Sequence, residues 1–187
     1  MADDSPPYQV LSSETVYKGY VVAVRVDNIS MPDDAQAVRE VVVVDDAVAI
    51  VALDNQHRVC LLRQYRHPFG KYLLELPAGK MDIDGESPLE TARRELKEEA
   101  GLCSDKWCDL TCFLNSVGWT TEETHVLLAE DVFKDTGTKF AATGEEADLQ
   151  VSMVPMSDAL RMIDTQDITD AKTIVGLLLA SHKIGLT

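Results

Sequence analysis

The chain has 187 residues, of which 45 % are hydrophobic, and its formal net charge at pH 7 is −15. This length and composition fit one globular domain with room for a small extension. An acidic chain repels nucleic acid and anionic membrane surfaces, so neither is expected as a partner. The four cysteines lack CxxC spacing, which indicates reduced thiols rather than a zinc site. No stretch has the pattern of a signal peptide or a membrane span, so we expect a cytoplasmic protein.

Two stretches rich in β-branched residues predict a small antiparallel extension near the N-terminus. They cover residues 16–26 and 37–44 and are separated by the turn signal Met31-Pro32-Asp33-Asp34. A sheet of two or three strands is marginal alone, so it must pack against the main domain or a second subunit. We place this extension at residues 1–45 and the main domain at residues 46–187.

The rest of the chain mixes strands and helices. A fully apolar run at residues 47–53 and a second run at residues 59–65 predict core strands of a mixed sheet. Further strands are predicted at residues 110–113, 125–129 and 151–155, and helices at 156–163 and 170–182. In the last helix, Ile174, Leu177 and Leu178 are predicted to face the core, with Ser181 closing the stripe. This order of elements predicts an α+β fold.

Residues 79–102 contain clear sequence signals for the start and the end of a helix. Ser87 precedes Pro88 and is followed three positions later by Glu90, which is a capping box with proline at the first helical position. Gly101 stands where a helix ends in the left-handed conformation. The apolar stripe that should be buried consists of Leu89, Ala92, Leu96 and Ala100.

Three glutamates, Glu95, Glu98 and Glu99, share one face of this helix at positions i, i+3 and i+4. Like charges at this spacing destabilise a helix by roughly 0.2–0.5 kcal/mol per pair. The face is therefore either a solvated surface eased by neighbouring basic residues or a binding site for a cation. A hard divalent cation prefers several carboxylate oxygens, and a glycine-rich turn can add a backbone carbonyl. The pattern favours a metal site.

The same stretch resembles the signature of the Nudix hydrolases. The positions that agree in type and spacing are Glu86, Arg94, Glu95, Leu96, Glu98, Glu99, Gly101 and Leu102. Six residues separate Gly79 from Glu86, where the usual signature has five, so the turn before the helix is one residue longer. The resemblance implies a Nudix α/β/α sandwich with a mixed central sheet, carrying the N-terminal antiparallel β extension.

A second pair of motifs is similar to the ADP-ribose pyrophosphatase branch of that family. These motifs are RQYRHPFG at residues 63–70 and ELPAG at residues 75–79, while Val117 stands where the branch commonly has a proline. The resemblance implies hydrolysis of ADP-ribose to AMP and ribose 5-phosphate with Mg²⁺ as cofactor, or Mn²⁺ in its place. Two alternatives remain: hydrolysis of another nucleoside diphosphate linked to a second group, and a non-catalytic domain that senses a nucleotide.

The resemblance also implies roles for particular residues. The metal ligands are expected to be the carbonyl of Ala78 and the carboxylates of Glu95, Glu98 and Glu99, with Glu98 also counted as catalytic. Glu86 is expected to orient the site from behind these ligands. The general base is expected on the acidic loop that ends near residue 148, as either Glu145 or Glu146.

Three more residues are implied to contact the substrate. Arg66 is expected to meet it from within the same subunit, whereas Arg39 and Glu122 would reach it from a partner chain in a homodimer built by exchanged N-terminal strands. For all three the alternative is an ordinary surface charge. Tyr65 and Trp119 are candidates to stack on an adenine ring, with core packing as the alternative for Tyr65.

Overall fold

The computed structural model describes residues 8–32, 35–137 and 148–186. The chain forms two compact units. The first consists of the described residues up to Asp46 together with Leu114–Glu123. The second consists of Ala47–Phe113 and the described residues from Thr124 onward. The helices are α1 (Pro88–Ala100), α2 (Met156–Asp164) and α3 (Ala171–Lys183), with a short 3₁₀ helix at His67–Phe69. The strands are β1 (Val10–Lys18), β2 (Ala23–Ser30), β3 (Gln36–Val43), β4 (Ala47–Ala52), β5 (Arg58–Arg66), β6 (Lys71–Glu75), β7 (Ala78–Lys80), β8 (Leu102–Cys103), β9 (Lys106–Leu114), β10 (Glu123–Glu130), β11 (Phe133–Lys134) and β12 (Gln150–Pro155).

The first unit is built on an antiparallel sheet in the order β1-β2-β3. The predicted strand at 37–44 is confirmed by β3, but the prediction of one continuous strand over 16–26 is wrong. The chain instead turns between β1 and β2, where the backbone N–H of Gly19 donates to the carbonyl of Val22 at 2.8 Å. The loop within Leu114–Glu123 joins this unit because the N–H of Val42 donates to the carbonyl of Trp119 at 2.8 Å.

The second unit contains a mixed sheet in the order β7-β4-β10-β9 and an antiparallel sheet in the order β12-β5-β6. The central strand β4 runs parallel to β10 and antiparallel to β7. The two-residue strands β8 and β11 pair with each other. The predicted mixed central sheet is therefore confirmed, and the α+β class with it.

The central strand β4 is buried on both faces and supplies two core clusters. Val48, Ile50 and Ala52 pack in one cluster with residues of α1. Val51 lies in the other cluster, with residues of α2 and α3. Successive side chains of a strand point to opposite faces, so the sheet lies between α1 and the other two helices, and the predicted α/β/α layering is confirmed.

The predicted boundaries of α1 are also confirmed. The side chain of Ser87 accepts a hydrogen bond from the N–H of Glu90, while the Glu90 carboxylate accepts from the N–H of Ser87. Gly101 ends the helix at φ 63°. Ala92 and Leu96 are fully buried, and Leu89 and Ala100 are packed against their cluster, as expected.

One detail of the last helix differs from the prediction. Leu177 is fully buried, but Leu178 is 50 % exposed. The buried stripe of α3 instead continues through Ala180 and Ser181. Gly176 lets the helix approach the sheet closely, because a Cβ at this position would lie 2.6 Å from Cδ1 of Leu76.

None of the helices in the described ranges is both long enough and apolar enough to cross a bilayer.

Replacing Ser87 by Ala is expected to lower the free energy of unfolding by about 1 kcal/mol, because it removes the side-chain oxygen that accepts from the N–H of Glu90, while the backbone N–H at position 87 can still donate to Glu90. Urea denaturation followed by circular dichroism measures the change. Ser157→Ala is the matched control, because this exposed serine lies in the first turn of α2 without capping that helix. Equal effects of the two substitutions would contradict the proposed contribution of the cap.

Candidate active site

The short strand β7 lies directly against the acidic face of α1. The backbone N–H of Ala78 donates to Oε2 of Glu99 at 2.9 Å. A Cβ built on Gly79 would lie only 2.0 Å from Cδ of Glu95, so glycine is what leaves room for that carboxylate. The strand and the helix thus bring together Ala78, Glu95 and Glu99, three of the four residues that the sequence predicts as metal ligands.

The fourth of these residues, Glu98, is linked to the cluster by Arg94. The Nη1 of Arg94 lies 2.6 Å from Oε1 of Glu95 and 3.4 Å from Oε2 of Glu98. Its Nη2 lies 3.1 Å from Oε2 of Glu86 and 3.5 Å from the carbonyl oxygen of Lys80. One guanidinium therefore holds three carboxylates and a backbone carbonyl of β7 in a single arrangement.

The ionisation of these groups reflects their crowding. Burial would lower the pKa of Arg94, but the hydrogen bonds and negative charges of Glu86 and Glu95 outweigh it and raise that pKa. Burial raises the pKa of Glu95 despite the opposing effect of Arg94. The hydrogen bond from Arg94 lowers the pKa of Glu86. The carboxylates of this cluster carry more negative charge than the single positive charge of Arg94 neutralises.

The donor set fits a hard divalent cation. Glu95, Glu98 and Glu99 are all half-buried and offer carboxylate oxygens on one helix face, and the backbone of β7 lies beside them. Oxygen donors of this kind suit Mg²⁺ and related ions and are poor ligands for soft metals.

The turn before the helix is one residue longer than usual, but hydrogen bonds still fix the position of Glu86. The N–H of Glu86 donates to the carbonyl of Ile83 at 3.1 Å, and Gly85 takes a left-handed conformation with φ 87°. The hydroxyl of Thr91 donates to Oε2 of Glu86 at 3.1 Å. The additional residue is thus absorbed in the turn, while α1 begins at Pro88 as predicted.

Arg66, the predicted substrate contact, is paired with a buried carboxylate. Its Nε and Nη2 each donate to Glu75 at 2.7 Å, one to each carboxylate oxygen. The Glu75 side chain is 2 % exposed and also accepts a bond from Lys172. Neither Glu75 nor Lys172 was predicted from the sequence as a site residue. For Glu75, the available signal was a glutamate within the otherwise apolar residues 73–77.

The remaining predicted residues are placed elsewhere in the chain. Arg39 is exposed on β3, and Glu122 accepts a hydrogen bond from Nδ2 of Asn115; both belong to the first unit. Trp119, in the same unit, is 56 % exposed. Tyr65 is 40 % exposed and packs edge to face on Tyr72 with 5.5 Å between ring centroids. Glu145 and Glu146 lie outside the described residues.

A cavity of about 540 Å³ adjoins the carboxylate cluster on the side of Glu98. Its wall includes Lys97 at the end of α1, Lys134 on β11 and Met153 on β12. Lys97 pairs with Asp135 at 3.2 Å across this wall. The cavity is large enough to receive a small organic group next to the candidate metal ligands.

The NUDIX domain model matches residues 44–175, which is well over half of the chain. The chain belongs to the NUDIX family.

Its relatives include proteins named as ADP-ribose pyrophosphatases. The one from Mycobacterium tuberculosis is 38 % identical over 177 residues, covering 95 % of this chain and 84 % of the relative. The one from Bacillus subtilis is 32 % identical over 165 residues, covering 88 % of each. The solved structure of an ADP compounds hydrolase superposes with a TM-score of 0.83, covering 95 % of this chain and 94 % of the other at 22 % identity, and it supports the fold alone.

Proposed function

We propose that this protein hydrolyses the pyrophosphate of ADP-ribose and releases AMP and ribose 5-phosphate. The observation that carries the proposal is the intact cluster of Glu95, Glu98 and Glu99 against the backbone of β7. The substrate is proposed by analogy with the two ADP-ribose pyrophosphatases that are similar to this chain over most of its length.

The reaction adds the oxygen of one water to one phosphorus of the pyrophosphate. The bond from that phosphorus to the bridging oxygen breaks, and each product keeps one phosphate. Enzymes of this kind generally depend on a divalent metal ion. Held by Glu95, Glu98, Glu99 and the carbonyl of Ala78, such an ion would supply charge neutralisation at the phosphoryl oxygens and a more acidic bound water.

The other roles fall to side chains of this chain. Arg94 keeps the carboxylates of Glu95 and Glu98 in place, and Glu86 fixes Arg94 from behind. Arg66 presents a guanidinium to the anionic diphosphate, a geometry that suits phosphate oxygens. For the general base that removes the proton of the attacking water, Glu145 and Glu146 are the candidates by the resemblance of their sequence context.

Three finer features belong to the same proposal. Mg²⁺ is the proposed physiological ion, with Mn²⁺ as the alternative. A homodimer through the N-terminal extension, residues 1–45, would let Arg39 and Glu122 contribute to the partner's site. It would also cover exposed apolar side chains of the extension, such as Val16 at 54 % and Tyr17 at 58 % exposure. No cysteine in the described residues forms a disulfide, which agrees with a cytoplasmic location.

Chromatographic product analysis tests the proposed function. ADP-ribose, ADP-glucose, NADH and diadenosine polyphosphates are supplied at equal concentration with Mg²⁺ or with chelator. We expect AMP and ribose 5-phosphate to form preferentially from ADP-ribose, and only with metal. Faster turnover of another compound would move the substrate assignment away from ADP-ribose.

Hydrolysis of another ADP-linked compound is the second candidate. It is favoured by Val117, which replaces the proline common in the ADP-ribose branch and is 78 % exposed. A sensor without turnover is disfavoured because a binder has no need of the full carboxylate cluster. In the same assay, the absence of product from every compound would favour the sensor.

A further inference from the structure

Glu75 is a buried carboxylate that the proposed reaction does not use directly. It is the last residue of β6 and is 2 % exposed. Burying a carboxylate is costly unless cations and hydrogen bonds compensate for the lost water. Arg66 and Lys172 both contact it, and burial, which would raise the pKa of Glu75, is outweighed by these two cations, which lower it.

Lys172 is held in place by the start of α3. Its ammonium contacts Oε2 of Glu75 and lies 3.0 Å from Oδ1 of Asp170, and its side chain is 18 % exposed. Asp170 caps the helix by accepting from the N–H of Thr173 at 3.0 Å and from its hydroxyl at 2.6 Å. A flexible lysine is thus held by two carboxylates, one at the helix cap and one at the end of β6.

The same helix end also holds the segment that leads to the candidate metal ligands. The buried N–H of Leu76 donates to Oγ1 of Thr173 at 2.9 Å. The carbonyl of Pro77 accepts from the N–H of Ile50 on β4 at 2.8 Å. The backbone that follows Glu75 is therefore held in place. The direction of the Glu75 carboxylate then depends on its two cationic partners.

We propose that Lys172 is a positioning residue that sets the orientation of Arg66 through Glu75. Both Arg66 donors in this pair, Nε and Nη2, lie 2.7 Å from Glu75, so the guanidinium plane is fixed while Nη1 stays outside the pair. The Arg66 side chain is 36 % exposed, which leaves part of it open to a ligand. The role in phosphate binding rests on the proposed function.

The kinetic test is Lys172→Met. We expect KM for ADP-ribose to rise about tenfold while kcat changes less than threefold, because a misoriented Arg66 weakens substrate binding. Lys172→Gln, which keeps a donor without the charge, serves if the methionine variant does not fold. Lys183→Met is the control, since this exposed lysine lies at the other end of the same helix.

A double-mutant cycle separates positioning from mere stability. In the Arg66→Ala background, Lys172→Met is expected to leave KM unchanged, because the group through which it acts is gone. A further tenfold rise in that background would overturn the proposal. A structural role alone would lower the melting temperature of Lys172→Met without a change in KM that depends on Arg66.

A readout that needs no activity keeps this inference distinct from the proposed function. Arginine-selective ¹H–¹⁵N spectra report the Nε–H of Arg66, assigned by its absence in Arg66→Lys. In Lys172→Met we expect hydrogen exchange at this site at least tenfold faster than in the unaltered protein. An unchanged exchange rate would refute the positioning role, whatever substrate the protein hydrolyses.

Discussion

Glu99→Gln is expected to reduce kcat for ADP-ribose at least about a hundredfold with the fold intact. The amide oxygen of glutamine can still accept the bond from the N–H of Ala78, which spans 2.9 Å to Glu99, so β7 keeps its place. One of the three negative charges that would hold a divalent cation is lost. A metal ion supplies several kcal/mol of transition-state stabilisation, and each 1.4 kcal/mol is a factor of ten in rate.

Steady-state kinetics and Mn²⁺ titration by calorimetry measure the two consequences separately. Glu130→Gln is the matched control because it removes an exposed carboxylate at the end of β10. We expect weaker Mn²⁺ binding only in the Glu99 variant. Full activity of that variant would show that Glu99 is not a ligand, and a wild type that binds ADP-ribose without turnover would support the sensor.

The features predicted well from sequence are those with local causes. The boundaries of α1 follow from Ser87, Pro88 and Gly101, which act within the helix or at its ends. The core position of β4 follows from an unbroken apolar run with partners on both faces. Since the three glutamates share one helix face, their proximity also follows from helical spacing alone.

Some features that sequence missed depend on partners distant in the chain, and others on a local choice that the pattern leaves open. The two-residue strands β8 and β11 exist because each pairs with the other, and neither has a periodic pattern of its own. The break between β1 and β2 lies within one β-branched stretch, so composition did not reveal it. Leu178 was misassigned because an adjacent leucine, Leu177, equally fits the stripe.

The same reason explains the gap in the predicted site. Arg66 and Glu75 are nine residues apart on paired strands, but Lys172 lies 97 residues from Glu75. Only the packing of α3 against the core brings that lysine to the carboxylate. The apolar neighbours of Glu75 are a local sign that its carboxylate is buried, but its partner on a distant element has no such sign, so the ion pair became visible only in the folded chain.

Gly79→Ala is expected to lower kcat about a hundredfold while changing the free energy of unfolding by less than about 1 kcal/mol. The new Cβ would fall 2.0–2.5 Å from the three carboxylate atoms of Glu95. The backbone of β7 is paired with β4 at Val48, so the flexible carboxylate must move instead. Loss of a glycine also restricts the unfolded chain, which offsets part of the strain. A displacement of about 1 Å in a catalytic group costs about a hundredfold in rate.

Gly185→Ala provides the opposite case and completes the test. A Cβ at Gly185 meets nothing within 4 Å, but the left-handed φ of 74° costs a non-glycine residue roughly 1–2 kcal/mol. We therefore expect this control to lose stability and keep activity, the reverse of Gly79→Ala. Urea denaturation and steady-state kinetics on both variants decide the matter. Unaltered kcat and metal affinity in Gly79→Ala would mean that the position of Glu95 against β7 is not needed for hydrolysis.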